Sequence, residues 1–259
     1  MLLAVDIGNT ETTVGLFDGD RLETHWRLTT VRERTPDEWA AMLTAYLLHS
    51  GRSTDTIRAA VLASVAPPVA AELAAGIHRA SGVAPVEVGP TSRLPIKLDV
   101  EEPLTVGADR VVNTLAALAL YQRDTVVVDF GTATTFDCIL GDGRFVGGVI
   151  APGIRTAADN LIRRTAKLPS TALVAPTGVI GRRTETCIQA GVVLGTADAV
   201  AGLLLRIKAE WPGTAVPYVV ATGGLAPLIA PLVPAIELVE PRLTLLGLRI
   251  AAGHLGLTW

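Results

Sequence analysis

The chain has 259 residues, 49% of them hydrophobic and 18% charged, with a mean hydropathy of +0.44 and a formal net charge of −3. The apolar richness excludes intrinsic disorder, and a pI near 5.8 argues against a nucleic-acid or anionic-membrane partner. No stretch reaches the roughly 18 uninterrupted apolar residues of a spanning helix. The nearest, 190–205, carries Asp198, and the first six residues lack the basic region of a signal peptide, so a cytoplasmic protein is expected.

The apolar mass is aliphatic, with only four Phe, four Trp and three Tyr, as suits parallel sheets buried under helices on both faces. Cys138 and Cys187 lie far apart and are expected to be small buried hydrophobes. His25, His49, His78 and His254 are scattered and form no zinc pattern.

In chain order, 2–6 reads as an apolar strand, 12–17 as an alternating second, and 21–28 as a third that returns after the turn Asp18-Gly19-Asp20. Thr35-Pro36-Asp37-Glu38 places a capping residue, a first-turn proline and two acids at the start of a helix ending near Gly51. A strand over 59–64, a helix over 68–79 and a short strand over 86–88 follow. After the prolines at 90, 95 and 103, a helix runs from Gly107 to about Tyr121.

The grammar then restarts. Strands are expected over 125–129, 134–140 and 144–150, with the turn Gly141-Asp142-Gly143 between the last two. A helix over 153–164, a long helix over 185–209, a strand over 218–221, a short helix from Leu225, a strand over 236–239 and a helix over 243–254 complete the chain. The three-strand meander followed by alternating helices and strands occurs twice, which marks an internal duplication. Its anchors are Asp6-Ile7-Gly8-Asn9-Thr10 and Asp129-Phe130-Gly131-Thr132-Ala133. The expected domains are 1–117 and 118–259.

Each anchor ends a buried strand in Asp-x-Gly. A glycine there permits a positive φ or a close backbone approach, and successive N–H groups of such a turn form a concavity for phosphate oxygens. The adjacent carboxylate can hold a hydrated Mg²⁺ that bridges the phosphates. A single copy reads more readily as an ordinary β-turn with Asx chemistry; two copies in matching strand contexts favour phosphate binding, with Thr132, Thr134 and Thr135 offering hydroxyls. Ala221-Thr222-Gly223-Gly224 follows a strand and opens a helix, where adenine could approach the backbone. Gly147-Gly148 and Ala151-Pro152-Gly153 lead into another helix N-terminus, which can face an anion. Gly107-Ala108-Asp109-Arg110 opens the helix before the second copy. On spacing alone it is either dipole compensation with a surface charge, or a carboxylate base beside a guanidinium clamp.

With these motifs in order along the whole chain, and with Leu245-Leu246-Gly247-Leu248 near its end, the sequence resembles the type III pantothenate kinases. These belong to the superfamily of acetate kinases, sugar kinases and actin. The resemblance implies an α/β protein of two duplicated ribonuclease H-like domains, each a mixed sheet flanked by helices, with the active site in the cleft between them. It implies a homodimer that phosphorylates pantothenate with ATP to 4′-phosphopantothenate, the first step of coenzyme A biosynthesis. Mg²⁺ accompanies ATP, and a monovalent cation, potassium or ammonium, is required.

Carried over by position, Asp6, Ile7, Gly8, Asn9, Thr10, Glu11, Thr12, Thr13 and Thr132 bind ATP, and Asp129 ligates the monovalent cation. Gly107, Ala108, Asp109, Arg110 and Thr184 bind pantothenate, with Asp109 as proton acceptor. Two positions depart from the family pattern on the substrate side: Arg183 stands where Asn is common, and Val100 where Tyr is frequent. The competing expectations are a kinase for another small hydroxy-acid or sugar, and a nucleotide-binding regulator with little turnover.

Overall fold

A computed structural model describes residues 1–259, and the chain divides into two compact units: 1–120 with 243–259, and 121–242. The first unit opens with the expected meander: β1 (Leu2–Ile7), β2 (Glu11–Asp18) and β3 (Arg21–Thr29), all antiparallel neighbours. The helices α1 (Pro36–His49) and α2 (Pro67–Ser81) then carry the chain into β4 (Ala59–Ser64) and β5 (Val86–Val88), which extend the sheet in parallel. The strand order is β3-β2-β1-β4-β5. A two-residue strand, β6 (Lys97–Leu98), precedes α3 (Ala108–Tyr121).

The capping expectation at α1 holds in detail. The Glu38 N–H donates to the Thr35 hydroxyl, the Thr35 N–H donates to the Glu38 carboxylate, and Pro36 occupies the first turn. Gly51, at φ +70°, closes the helix where a side chain would be strained.

β1 shows how strand alternation builds two cores from one strand. Leu3, Val5 and Ile7 pack with Trp39, Leu43, Leu47, Leu73 and Ile77 of α1 and α2. Leu2 and Ala4 face the other way, onto Val111, Val112 and Leu115 of α3 and Leu245 and Leu248 of α8 (Leu243–His254). Every one of these residues is nearly or fully buried, each contributing about 1.5–3 kcal/mol for a large aliphatic side chain.

The second unit repeats the plan. β7 (Thr125–Phe130), β8 (Ala133–Ile139) and β9 (Arg144–Pro152) form the antiparallel meander, and β10 (Tyr218–Thr222) and β11 (Leu238–Val239) continue in parallel from β7. The order β11-β10-β7-β8-β9 matches that of the first unit. The correspondence reaches an irregularity: the second and third strands of each meander shift register, between Leu16 and Phe17 in one and between Cys138 and Ile139 in the other. The expected duplicated, mixed-sheet α/β architecture is thus present twice.

Three expectations change. First, α8 belongs to the first unit rather than the second, and the division falls at 120/121 rather than 117. Gly247 explains the closeness: a Cβ there would lie 2.4 Å from the Val112 carbonyl oxygen. The Thr244 hydroxyl and the Asn113 side-chain amide oxygen add a 3.0 Å hydrogen bond. The first sheet needs a cover on its α3 face, and α8 supplies the rest of it.

Second, the long helix is a composite, continuous over Thr184–Ala209: α5 (Thr184–Gln189), a π-helical turn (Ala190–Leu194) and α6 (Gly195–Ala209). By length and mean hydropathy it is apolar enough to cross a membrane despite Asp198. One face, with Ile188, Val193, Ala197, Val200 and Leu204, is seated in the core of the second unit with Val126, Val128 and Phe136. Third, Cys187 is exposed, whereas Cys138 is buried as expected. Between these elements lie α4 (Ile154–Arg163) and, after β10, the single turn α7 (Ala226–Ile229).

Candidate active site

In the first unit, Asp6 stands at the open end of β1, directly opposite Thr13 of β2, and Ile7 stands opposite Thr12. The turn between them is closed by the Gly8 N–H donating to the Glu11 carbonyl at 3.0 Å. Gly8 is required for this approach, since a Cβ would meet the Glu11 oxygen at 2.8 Å. Its φ is not in the left-handed region, so close approach alone demands the glycine. Asn9 and Thr10 are exposed at the tip.

A residue absent from the sequence expectations shapes this turn. The Thr30 hydroxyl donates to the Gly8 carbonyl at 2.8 Å, and the Thr30 N–H donates to the Thr10 carbonyl at 2.9 Å. Thr30 also shares a 2.9 Å hydrogen bond with the Thr12 hydroxyl. Thr12 is fully buried and Ile7 lies in the core, so both line the turn with backbone alone. The only signal for Thr30 is its place one residue beyond β3, where the hairpin register carries it opposite Thr10.

Gly107 and the first turn of α3 sit against this end of β1. The Val65 N–H donates to the Ile7 carbonyl at 3.0 Å, and Val65 lies 3.5 Å from where a Gly107 Cβ would stand. That Cβ would also come within 2.5 Å of Asp109 Oδ1. The absence of a side chain at Gly107 therefore gives the Asp109 carboxylate its place. Oδ1 accepts from the Arg110 N–H at 2.8 Å. Burial pushes the Asp109 carboxyl above the ordinary carboxylate range, while the Arg110 N–H and the Arg110 charge pull partly against it. Ala108 is buried beneath, within the α3 face of the core. Since Asp6 shares the even-numbered face of β1 with Leu2 and Ala4, it lies on the side of the sheet that α3 covers.

In the second unit, three motifs separated in sequence converge. Asp129 ends β7, paired with Thr135 on one side and Thr222 on the other. Gly223, at φ +87°, lies so close that a Cβ would meet Asp129 Oδ1 at 2.4 Å. On the other flank, the Thr132 carbonyl accepts from the Gly153 N–H at 3.1 Å and from the Thr156 hydroxyl at 2.7 Å. A Cβ on Gly153 would collide with the carbonyl oxygens of Thr132 and Gly131, at 2.3 and 2.5 Å. These contacts leave Thr132 exposed at a turn pinned to the start of α4. Thr134, expected as a phosphate donor, is instead buried, its strand position turning it to the same side as Phe136.

Thr184 is exposed at the first turn of α5, where the Thr186 hydroxyl bonds the N–H and carbonyl of Arg183. It lines an apolar groove of about 740 Å³ with Phe136, Pro152, Ile188, Val192 and Leu203, all of the second unit.

No three of His, Cys, Asp and Glu come together as a metal cage. Asp6, a single carboxylate beside the Gly8 turn, is a donor set that suits Mg²⁺ when phosphates and water supply the remaining oxygens. Asp129, a carboxylate held close against Gly223 and near Gly131, is an oxygen donor of the kind that suits a hard cation.

The family model for type III pantothenate kinase matches residues 2–206. The type III pantothenate kinase of Moorella thermoacetica is 46% identical over 96% of this chain and 98% of its own. That of Thermomicrobium roseum is 46% identical over 97% and 96%, and that of Geobacillus kaustophilus 40% identical over 96% of both. Among solved structures, component A of the (R)-2-hydroxyglutaryl-CoA dehydratase of Acidaminococcus fermentans aligns over 98% of this chain and 96% of its own. Its TM-score is 0.54 at 14% identity, which speaks to the fold alone. With its motifs gathered at the strand ends and relatives matching over nearly their full length, the chain belongs to the type III pantothenate kinase family.

Proposed function

We propose that the protein transfers the terminal phosphoryl group of ATP to the primary hydroxyl of pantothenate, giving 4′-phosphopantothenate and ADP in the first step of coenzyme A biosynthesis. The observation that carries this reading is Asp109, a carboxylate set at a helix start beside Gly107, with an affinity for protons raised by burial. A base works best when its pKa approaches the working pH, and burial moves Asp109 in that direction.

In this reading the turn from Asp6 to Thr13, with Thr132, binds the nucleotide phosphates, and Gly107–Arg110 with Thr184 binds pantothenate. The bond from the γ-phosphorus to the bridging oxygen of ADP breaks as the pantothenate oxygen bonds to that phosphorus. The hydroxyl proton passes to the Asp109 carboxylate. Arg110 balances the pantothenate carboxylate or the phosphoryl group in flight, and the turn at Asn9 and Thr10 receives phosphate oxygens. Such transfers depend mainly on positioning and on neutralising charge. A divalent metal ion such as Mg²⁺, brought with ATP, supplies part of that neutralisation, with Asp6 as its protein partner. Asp129 would hold potassium or ammonium. The working form is a cytoplasmic homodimer.

The reading is tested by incubating the protein with ATP, Mg²⁺ and pantothenate in potassium and in sodium buffer and following product by mass spectrometry. Product in potassium, and much less in sodium, is expected. No product in potassium would reject the pantothenate assignment and favour another hydroxy-acid, a sugar, or a regulator with little turnover.

A further inference from the structure

The registers of the first sheet place an arginine in line with the phosphate-binding turn. Asp6 of β1 faces Thr13 of β2, and Thr13 faces Arg27 of β3. Residues directly opposed across neighbouring strands project to one side, so Asp6, Thr13 and Arg27 form a row on a single face, and Glu11, two residues from Thr13, joins it. The row begins at the proposed Mg²⁺ partner and crosses the last residue of the nucleotide turn.

Arg27 is held by Glu11 through a two-pronged contact: Nε to Oε1 at 2.6 Å and Nη2 to Oε2 at 2.7 Å. Both side chains are substantially exposed. An exposed pair contributes only about 0–1 kcal/mol to stability, so stability is a weak reason to place it here. Its position has a stronger consequence. Glu11 closes the turn onto Gly8 through its carbonyl, and its carboxylate lies on the same sheet face as Asp6. Left alone, that negative charge would repel a triphosphate. The Arg27 guanidinium neutralises it, and its planar fork suits a phosphate as well as a carboxylate.

We propose that Arg27 is a phosphate-contacting residue of the nucleotide site, and that Glu11 is its holding partner in the empty site, releasing it in whole or in part to the phosphate oxygens of ATP. This rests on the assignment of Asp6–Thr13 to ATP. The Glu11 contact orients the guanidinium in advance and sets the strength with which ATP must compete for it.

Steady-state kinetics of Arg27→Gln, Arg27→Lys, Glu11→Gln and Asp6→Asn, each checked by melting temperature, test the proposal. Arg27→Gln should raise the KM for ATP about tenfold or more, the loss of a hydrogen bond between charged groups, with the KM for pantothenate little changed. Arg27→Lys, which keeps the charge but not the fork, should fall between. Glu11→Gln breaks the same ion pair yet frees Arg27 and removes a competing negative charge, so its KM for ATP should fall below that of the parent protein. A pair that merely pins the hairpin predicts the contrary: Arg27→Gln and Glu11→Gln would raise the KM for ATP alike, and that result overturns the proposal. An unchanged KM in Arg27→Gln beside a disturbed Asp6→Asn would overturn the role of Arg27 alone. If Asp6→Asn also left ATP use untouched, the nucleotide assignment would fall with it.

Discussion

The Cβ that Gly223 lacks would stand 2.4 Å from Oδ1 of Asp129. Two distant stretches of sequence, the strand end at Asp129 and the Thr222-Gly223-Gly224 turn, are therefore fitted to one another at atomic contact. Gly223 also has φ +87°, a conformation that costs a non-glycine residue about 1–3 kcal/mol. Gly223→Ala is expected to displace the Asp129 carboxylate and to raise the potassium concentration needed for half-maximal activity. A potassium titration of the variant checks this, and an unchanged midpoint would separate Asp129 from cation binding.

Asp109 couples activity to stability through pH. Its carboxyl is held above the ordinary range by burial. A raised carboxyl pKa means that the folded state binds the proton more tightly than the unfolded chain. Its contribution to stability is thus favourable at low pH and declines as pH rises from the unfolded value towards the folded one. At neutral pH the ionised, buried carboxylate is a net cost. Asp109→Asn should therefore melt at a higher temperature than the parent at pH 7, with the advantage shrinking as pH falls through the raised value and lost once pH is below the ordinary carboxylate range. In the parent enzyme, kcat/KM should fall as pH drops through the raised value, because the base becomes protonated. Melting curves and a pH–rate profile report these separately.

Thr30 reaches the turn around Gly8 through three hydrogen bonds, two of them made by its hydroxyl. Thr30→Val keeps the shape and removes the hydroxyl, leaving the Gly8 carbonyl and the Thr12 hydroxyl short of a partner. A loss of about 1–3 kcal/mol in stability is expected, together with a raised KM for ATP, since the turn no longer holds its form. Urea unfolding and ATP-dependent kinetics measure the two effects, and a loss of stability with ATP use intact would confine Thr30 to folding.

The cap of α1 provides the converse case. Thr35→Ala removes the side-chain acceptor for the Glu38 N–H and should cost about 0.5–2 kcal/mol. The Thr35 side chain bonds Glu38 within its own helix start, so kcat and both KM values should stay near those of the parent. A large fall in kcat in a folded Thr35→Ala protein would show that the helix start matters to the chemistry.

Much of this was legible in the sequence because it is written locally. The apolar runs at 2–7 and 125–130 end in Asp-x-Gly, the hairpin turns carry Asp and Gly, and Thr35 to Glu38 spell a capping box. What escaped depends on partners far away in the chain. Nothing near residue 243 says that α8 packs on β1, since its periodicity is satisfied by any apolar face; the pairing of Gly247 with Val112 exists only in three dimensions. The sequence allows Gly8 either a positive φ or a close backbone approach, and the Glu11 carbonyl that makes it the second becomes visible only once the turn is closed. Thr134 and Thr132 looked alike as hydroxyls, and strand alternation buries one while the turn exposes the other. Arg27 carries no signal of its own in the sequence, and only the register of β2 on β3 brings it to Glu11.

The most direct measurement is single-turnover transfer of labelled γ-phosphoryl from ATP to pantothenate, in potassium and Mg²⁺, for the parent protein and for Asp109→Asn. The account predicts labelled phosphopantothenate from the parent and a rate about 10²–10⁴-fold lower from the folded variant, with ATP binding retained. An Asp109→Asn protein that transfers phosphate at the parental rate would contradict it.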